Sequence, residues 1–246
     1  MQLTVINSNS NGNAYILHNN EEALLLECGV NFQRVKEALN FNLKKVVGCL
    51  VTHEHGDHAA FVNYYMNAGI NVWATAGTHN AMGVGHHHRA KVVDYGYVFN
   101  IGNFNLKAYK INHDAADPCC YLIRHAECGT VLFLTDTKYC EYNFKGLNNI
   151  LIEANYCENI INRRVAEGSN PMFLRDRVYN SHMSIDTTVK TLKDYDLSEV
   201  NNIVLIHLSK GNSNEADFKK RVQQATGKAV HIANAGLTID FNIQPF

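Results

Sequence analysis

The sequence predicts an α/β fold: two mixed β-sheets stacked face to face, with helices on both outer surfaces. This is a four-layer αββα sandwich. Two observations carry the prediction. Apolar, β-branched runs crowd both halves of the 246-residue chain. Helical patterns flank each strand-rich half instead of alternating with its strands one for one. Strand-rich halves with flanking helices bury their apolar faces by packing sheet on sheet. The length suits one α/β domain with a sizeable core, spanning residues 1–246.

The elements follow in order. "LTVIN" (3–7), "AYILH" (14–18) and "EALLLEC" (22–28) read as strands separated by Asn/Gly turns. "NFQRVKEALN" reads as a helix capped by Asn31, with Phe32, Val35 and Leu39 on one face. "KVVGCLVT" (45–52) is a buried strand. "HAAFVNYYMNAG" (58–69) has the pattern of a single helix ended by Gly69. "INVWAT" is a strand, followed by a polar, Gly-rich segment containing His86, His87 and His88. The middle holds strands at 104–111, 119–124, 130–136 and 148–155. Helices are expected at about 158–167, 185–196 and 213–226, with short strands at 203–207, 229–233 and 237–241.

Composition excludes several classes. With 46% hydrophobic and 18% charged residues the chain is globular, not disordered. A formal net charge of −1 does not build a long nucleic-acid track by bulk charge, so phosphate recognition must be local. No signal peptide is read at the start, and no apolar run reaches the roughly 20 residues that span a bilayer. The seven cysteines contain no CxxC pair and mostly sit in apolar runs, which suits reduced, buried residues in a cytoplasmic protein.

The chemistry concentrates in "LVTHEHGDHAAF". His53, His55, Asp57 and His58 fall within six residues, directly after a buried strand. In extended chain, residues i and i+2 point the same way, so His53 and His55 can share one metal. Asp57 and His58 follow Gly56, where the chain can turn into a helix, and can face a second metal. Imidazole and carboxylate are the usual ligands of zinc and its first-row neighbours. Two metals need further ligands, and strand ends can converge on one edge of a sandwich. His113, Asp136 and His207 each follow an apolar strand and are the candidates.

This order of residues resembles the metallo-β-lactamase superfamily over almost the whole chain. The resemblance implies that His53, His55 and His113 hold one divalent metal and Asp57, His58 and His207 the second, with Asp136 bridging. It implies zinc, with manganese as the alternative, and a metal-bridging hydroxide as nucleophile. "SNSNGNAYIL", "LLLECG", "INHDAADPCCYLI", "LTDT", "LIEANY" and "LIHLSKGN" are similar to motifs of the YycJ (WalJ)-like branch. The chain departs from that branch at Asp117–Tyr121 and at Ser181–Ile185. "SHMSIDTTVKTL" resembles instead a stretch of RNase Z, and that likeness gives His182 a role at the phosphate and the leaving oxygen.

The expected activity is therefore hydrolysis of phosphodiester bonds in a nucleotide or nucleic-acid end, either exonuclease-like or on a cyclic nucleotide. The alternative is a thioester or lactone hydrolase of the glyoxalase II type. A phosphodiester has a poor leaving group and gains from a positioned acid; a thioester needs one less. Asp57 and His182 are the expected catalytic residues. Asn13, Asn155, Arg175 and Arg177 are the expected substrate contacts, the arginines because guanidinium suits phosphate. No membrane partner is expected, and a homodimer is the candidate assembly.

Overall fold

In the computed structural model residues 1–244 are described; the last two residues of the expected 1–246 domain lie outside the described residues. Two seven-stranded sheets form its centre. The first contains β1 (Gln2–Asn9), β2 (Gly12–His18), β3 (Ala23–Leu26), β4 (Val46–Leu50), β5 (Val72–Ala74), β6 (Ala90–Val92) and β14 (Thr238–Asp240). The second contains β7 (Val98–Ile101), β8 (Phe104–Lys110), β9 (Cys119–His125), β10 (Gly129–Leu134), β11 (Asn149–Glu153), β12 (Asn202–Ile206) and β13 (Ala229–Ile232). The spatial orders are β14-β1-β2-β3-β4-β5-β6 and β13-β12-β11-β10-β9-β8-β7. In each sheet antiparallel pairing gives way to four parallel strands, β3–β6 in one and β10–β13 in the other. Ligand sites in such sheets form beyond the carboxyl ends of the parallel strands. The chemistry collects there.

Three apolar clusters make the four layers. Leu3, Tyr15, Phe104, Tyr121 and Phe133 meet between the sheets. Ile16, Leu25 and Val51 pack outward on Phe32, Val35 and Tyr65, the last two borne by α1 (Phe32–Ala38) and α3 (Val62–Asn67). Leu132, Ile150 and Leu205 pack outward on Leu192 and Phe218, borne by α7 (Ile185–Asp194) and α8 (Glu215–Thr226). β10 is buried along its whole length because Val131 and Phe133 face one layer and Leu132 and Leu134 the other. That accounts for a continuous apolar run where a half-exposed strand would alternate.

Local expectations met two corrections. The helix expected over 58–69 is split into α2 (Gly56–Ala59) and α3. The Phe61 amide donates to Cys28 O at 3.1 Å, which ties the break to the loop after β3. The split leaves Asp57 and His58 on a short helix of their own. The segment before His182 is itself a helix, α6 (Met172–Ser181), which follows α5 (Glu158–Ala166). It buries only Ser181 and leaves Met172 and Phe173 in solvent, so it had no apolar stripe to read. A further short helix, α4 (Ala76–Ala81), precedes the three consecutive histidines. No helix among the described residues is long and apolar enough to cross a membrane. All seven cysteines are free, and six are buried.

One buried carboxylate ties the layers together. Glu22, between β2 and β3, accepts from Asn103 N at 3.0 Å and Asn103 Nδ2 at 2.8 Å, and meets His125 Nε2 at 3.1 Å. Burial pushes its carboxyl up, but these donors more than offset that and hold it below the ordinary glutamate range. A depressed folded pKa contributes stability above the unfolded pKa and loses it as pH falls through the folded value. Glu22→Gln is expected to lower stability by about 1–3 kcal/mol in urea unfolding at pH 7. The deficit should shrink below about pH 4.5. A deficit of unchanged size at pH 4 and pH 7 would rule out the charge as its origin.

Candidate metal centre

The centre is assembled from strand ends. Glu27 follows β3, Asp136 follows β10 and His207 follows β12. All three have positive φ, at 65°, 47° and 53°. Non-glycine residues rarely adopt this region, and such outliers cluster at functional sites. The turn out of the strand here carries each side chain across the sheet edge. Close backbone packing fixes the opposite wall: a Cβ on Gly29 would lie 1.7 Å from Asp57 O. Only glycine lets the loop after β3 lie against the segment that carries Asp57.

Three overlapping groups of ligating atoms result, the third joining Glu153 and His182 to Asp136 and His207. In the first, His55 Nδ1 lies 3.1 Å from both His53 Nε2 and His113 Nε2. The second gathers Asp57, His58, Asp136 and His207. Asp136 Oδ2 is 3.3 Å from His58 Nε2 and 3.8 Å from His53 Nε2 and His113 Nε2. One carboxylate oxygen therefore stands between the two groups. His207 Nε2 and His58 Nε2 lie 3.0 and 3.4 Å from Asp57 Oδ2.

The donor chemistry fits cations. Thr52 Oγ1 donates to Glu27 Oε1 at 2.6 Å, so it must accept from His53 Nδ1 at 3.0 Å. His113 Nδ1 donates to Ser181 O at 2.9 Å. Both assignments leave the Nε2 lone pairs of His53 and His113 aimed at the same His55 nitrogen. One imidazole N–H cannot satisfy two acceptors, whereas a shared cation can. Tetrahedral zinc with nitrogens at roughly 2.0–2.1 Å places neighbouring nitrogens about 3.3 Å apart, close to the spacing seen. In the second group His58 Nδ1 is buried without a hydrogen bond of good geometry, and Glu27 Oε1 is 3.4 Å away. A carboxylate behind a histidine is the usual support of a ligating imidazole.

Electrostatics agree. Burial opposes the ionised form of Asp136, but His207 and His58 beside it outweigh burial and hold it well below the usual carboxylate range. Asp57 behaves likewise: its hydrogen bonds to His207 and His58 win over burial.

His182 stands next to these groups but in a different environment. Its Nδ1 is 2.6 Å from Glu153 Oε1, a hydrogen-bond distance to a fully buried carboxylate at the end of β11. Glu153 is itself fixed, because Oε2 accepts from Met183 N at 3.1 Å and Thr137 N at 3.2 Å. Burial pushes the His182 pKa down, but the Glu153 charge and hydrogen bond more than offset this and leave it raised. A cavity of about 600 Å³ opens over the centre, with His55, Asp57, Asp136, His182 and His207 in its floor and walls. Helix α6 closes one side with Leu174, Arg177 and Val178.

The other expected site residues divide. Arg177 lines the cavity and pairs with Asp114 at 3.3 Å. Arg175 does not line it. Its guanidinium bonds Asp176 at 2.7 Å and sits over the Tyr179 ring. Asn13 and Asn155 are buried behind the ligand-bearing residues. Asn13 Nδ2 donates to Asp57 Oδ2 at 3.3 Å and Asn155 Nδ2 to His207 O at 3.0 Å. His86, His87 and His88 are not among the cavity-lining residues. Sequence reasoning missed Glu27 and gave Glu153 no role. Both end apolar strands, "ALLLE" and "NILIE", the same signal that singled out Asp136.

Comparison with known proteins gives the family of the chain. The chain is 26% identical over 242 residues to exodeoxyribonuclease YycJ of Bacillus anthracis, covering 91% of this chain and 88% of that protein. It is 25% identical over 256 residues to exodeoxyribonuclease WalJ of Streptococcus pneumoniae, covering 98% and 92%. Among solved structures, the metallo-beta-lactamase fold protein YhfI from Bacillus subtilis matches with a TM-score of 0.73 at 16% identity, over 97% of this chain and 99% of that one. The sequence profile of the metallo-beta-lactamase superfamily matches residues 8–140, more than half of the chain and all of its first ligand group. By profile and by its relatives, the chain belongs to the metallo-β-lactamase superfamily and sides with its YycJ-like branch.

Proposed function

We propose that this protein is a metal-dependent phosphodiesterase that hydrolyses nucleic-acid ends. The observation that carries the reading is the His182–Glu153 pair beside the two ligand groups. Its supports include the exodeoxyribonuclease names of the relatives. His53, His55 and His113 would hold one divalent cation, and Asp57, His58 and His207 the other, with Asp136 shared. Two such cations, zinc in our reading with manganese as the alternative, would supply a water of lowered pKa and would offset charge on the substrate.

The chain's own groups do the rest. Glu153 holds the Nδ1 proton of His182 at 2.6 Å, which leaves Nε2 as the atom available to the cavity. His182 can thus donate a proton to a leaving oxygen, the need that separates a phosphodiester from a thioester. Arg177 offers a guanidinium to the phosphate at the cavity wall. Asn13 and Asn155 hold Asp57 and His207 in place.

Metal analysis with a substrate panel tests the reading. Purified protein should carry about two metals per chain, one for each ligand group, and cleave bis-p-nitrophenyl phosphate and single-stranded DNA ends. Thioester turnover above diester turnover would replace this reading with the glyoxalase II type.

A further inference from the structure

We propose that the groove beginning at His113 is a nucleobase subsite for single-stranded nucleic acid, with Tyr139 as its stacking platform. The inference rests on the phosphodiesterase reading and narrows its substrate to a polymer.

The groove is a separate cavity of about 370 Å³, lined by Lys110, Asn112, His113, Ala116, Tyr139 and Tyr142. It meets the metal centre at one residue. His113 lines the groove, its Nε2 lies 3.1 Å from His55 Nδ1, and His55 lines the central cavity. A strand whose scissile phosphate sits over the ligand groups therefore has a neighbouring nucleotide within reach of the groove. A cyclic mononucleotide has none to place there.

The lining suits a base more than a phosphate. Tyr139 is 40% exposed, a large aromatic ring left in water beside the centre. Tyr142 adds a second ring, held edge-on against Tyr109 at 5.1 Å. Stacking on aromatic rings tolerates any base, because every base has a π-face. The charge is mixed: Lys110 brings one cation, while Glu141 Oε1 accepts from the Tyr139 hydroxyl at 3.2 Å.

The groove is also built in advance. Lys138 N and Thr137 Oγ1 donate to Asn112 O at 3.2 and 3.1 Å, fastening the loop after Asp136 to the loop that carries His113. Thr137 Oγ1 also lies 2.8 Å from Tyr139 O. Ala116 N donates to Glu54 Oε1 at 2.7 Å, which ties the other wall to the His53–His55 segment. A ring on so fixed a frame loses little freedom when a base stacks on it.

The test measures a labelled single-stranded oligodeoxynucleotide by fluorescence anisotropy, and its cleavage by steady-state kinetics, on the metal-loaded protein. Tyr139→Ala should weaken Kd and raise KM by about five- to a hundredfold, while kcat changes far less. Tyr139→Phe should bind like the wild type, because stacking needs the ring and not the hydroxyl. Tyr64→Ala, an exposed tyrosine on α3 that lines neither cavity, is the control and should match the wild type. Wild-type Kd and KM in Tyr139→Ala, with cleavage intact, overturn this inference alone. A wild type that cleaves no diester overturns the phosphodiesterase reading and this inference with it.

Discussion

Asp136→Asn should cost the protein metal and activity together. The carboxylate is buried, and its Oδ2 reaches both ligand groups: 3.3 Å from His58 Nε2 and 3.8 Å from His53 Nε2 and His113 Nε2. Asparagine is the informative replacement. It keeps the volume, and it tolerates the left-handed backbone at φ 47° better than alanine would. What it removes is the negative charge that offsets two cations and the surrounding histidines. Changes behind a ligand cost about 10- to 100-fold in metal affinity, and a shared ligand should cost more. Elemental analysis after gel filtration should find one metal or none per chain, with diester turnover reduced in step. Two retained metals in Asp136→Asn would show that the groups do not share this carboxylate.

The fold was legible where packing obeys local pattern. β10 and β11 read as unbroken apolar runs because they are covered on both faces. Asn31 and Ser184 read as caps, and the structure has Gln33 N and Thr187 N donating to their side chains. Legibility failed where structure depends on distant partners. The break between α2 and α3 comes from the Phe61–Cys28 hydrogen bond, which helical periodicity in 58–69 cannot signal. Helix α6 lies over the cavity with its apolar side chains exposed, so it lacks the stripe by which helices are recognised.

The site shows the same division. HxHxDH could be read because two residues along extended chain return to the same face. Glu27 and Glu153 carry the same strand-end signal as Asp136, but what sets their role is the histidine each one meets, and that the sequence does not show. For Glu153 that partner lies 29 residues along the chain, on the far side of two helices. Arg175 and Arg177 had equal claims in sequence. The 100° turn per helical residue sends one to the cavity and the other to Tyr179.

His182→Ala should separate the chemical step from metal binding. His182 belongs to neither group that holds the HxHxDH residues but does lie with Asp136, Glu153 and His207 in a third; acting as an acid and not as a ligand, it should leave metal content at the wild-type level when removed. Turnover of an oligonucleotide should fall by about 10²–10⁴-fold, the usual worth of a general acid. The loss should depend on the leaving group. Nucleic acid expels an alkoxide, which needs a proton as the bond breaks. Bis-p-nitrophenyl phosphate expels a stabilised phenolate, so the same variant should lose much less on it. Glu153→Gln should reproduce the pattern more weakly, since it keeps an acceptor near Nδ1 but removes the charge that favours the protonated ring. A structural role for His182 predicts equal losses on both substrates, and a ligand role in the Asp136–Glu153–His207 group predicts loss of metal. Either result would remove the feature that distinguishes phosphodiester from thioester chemistry at this centre.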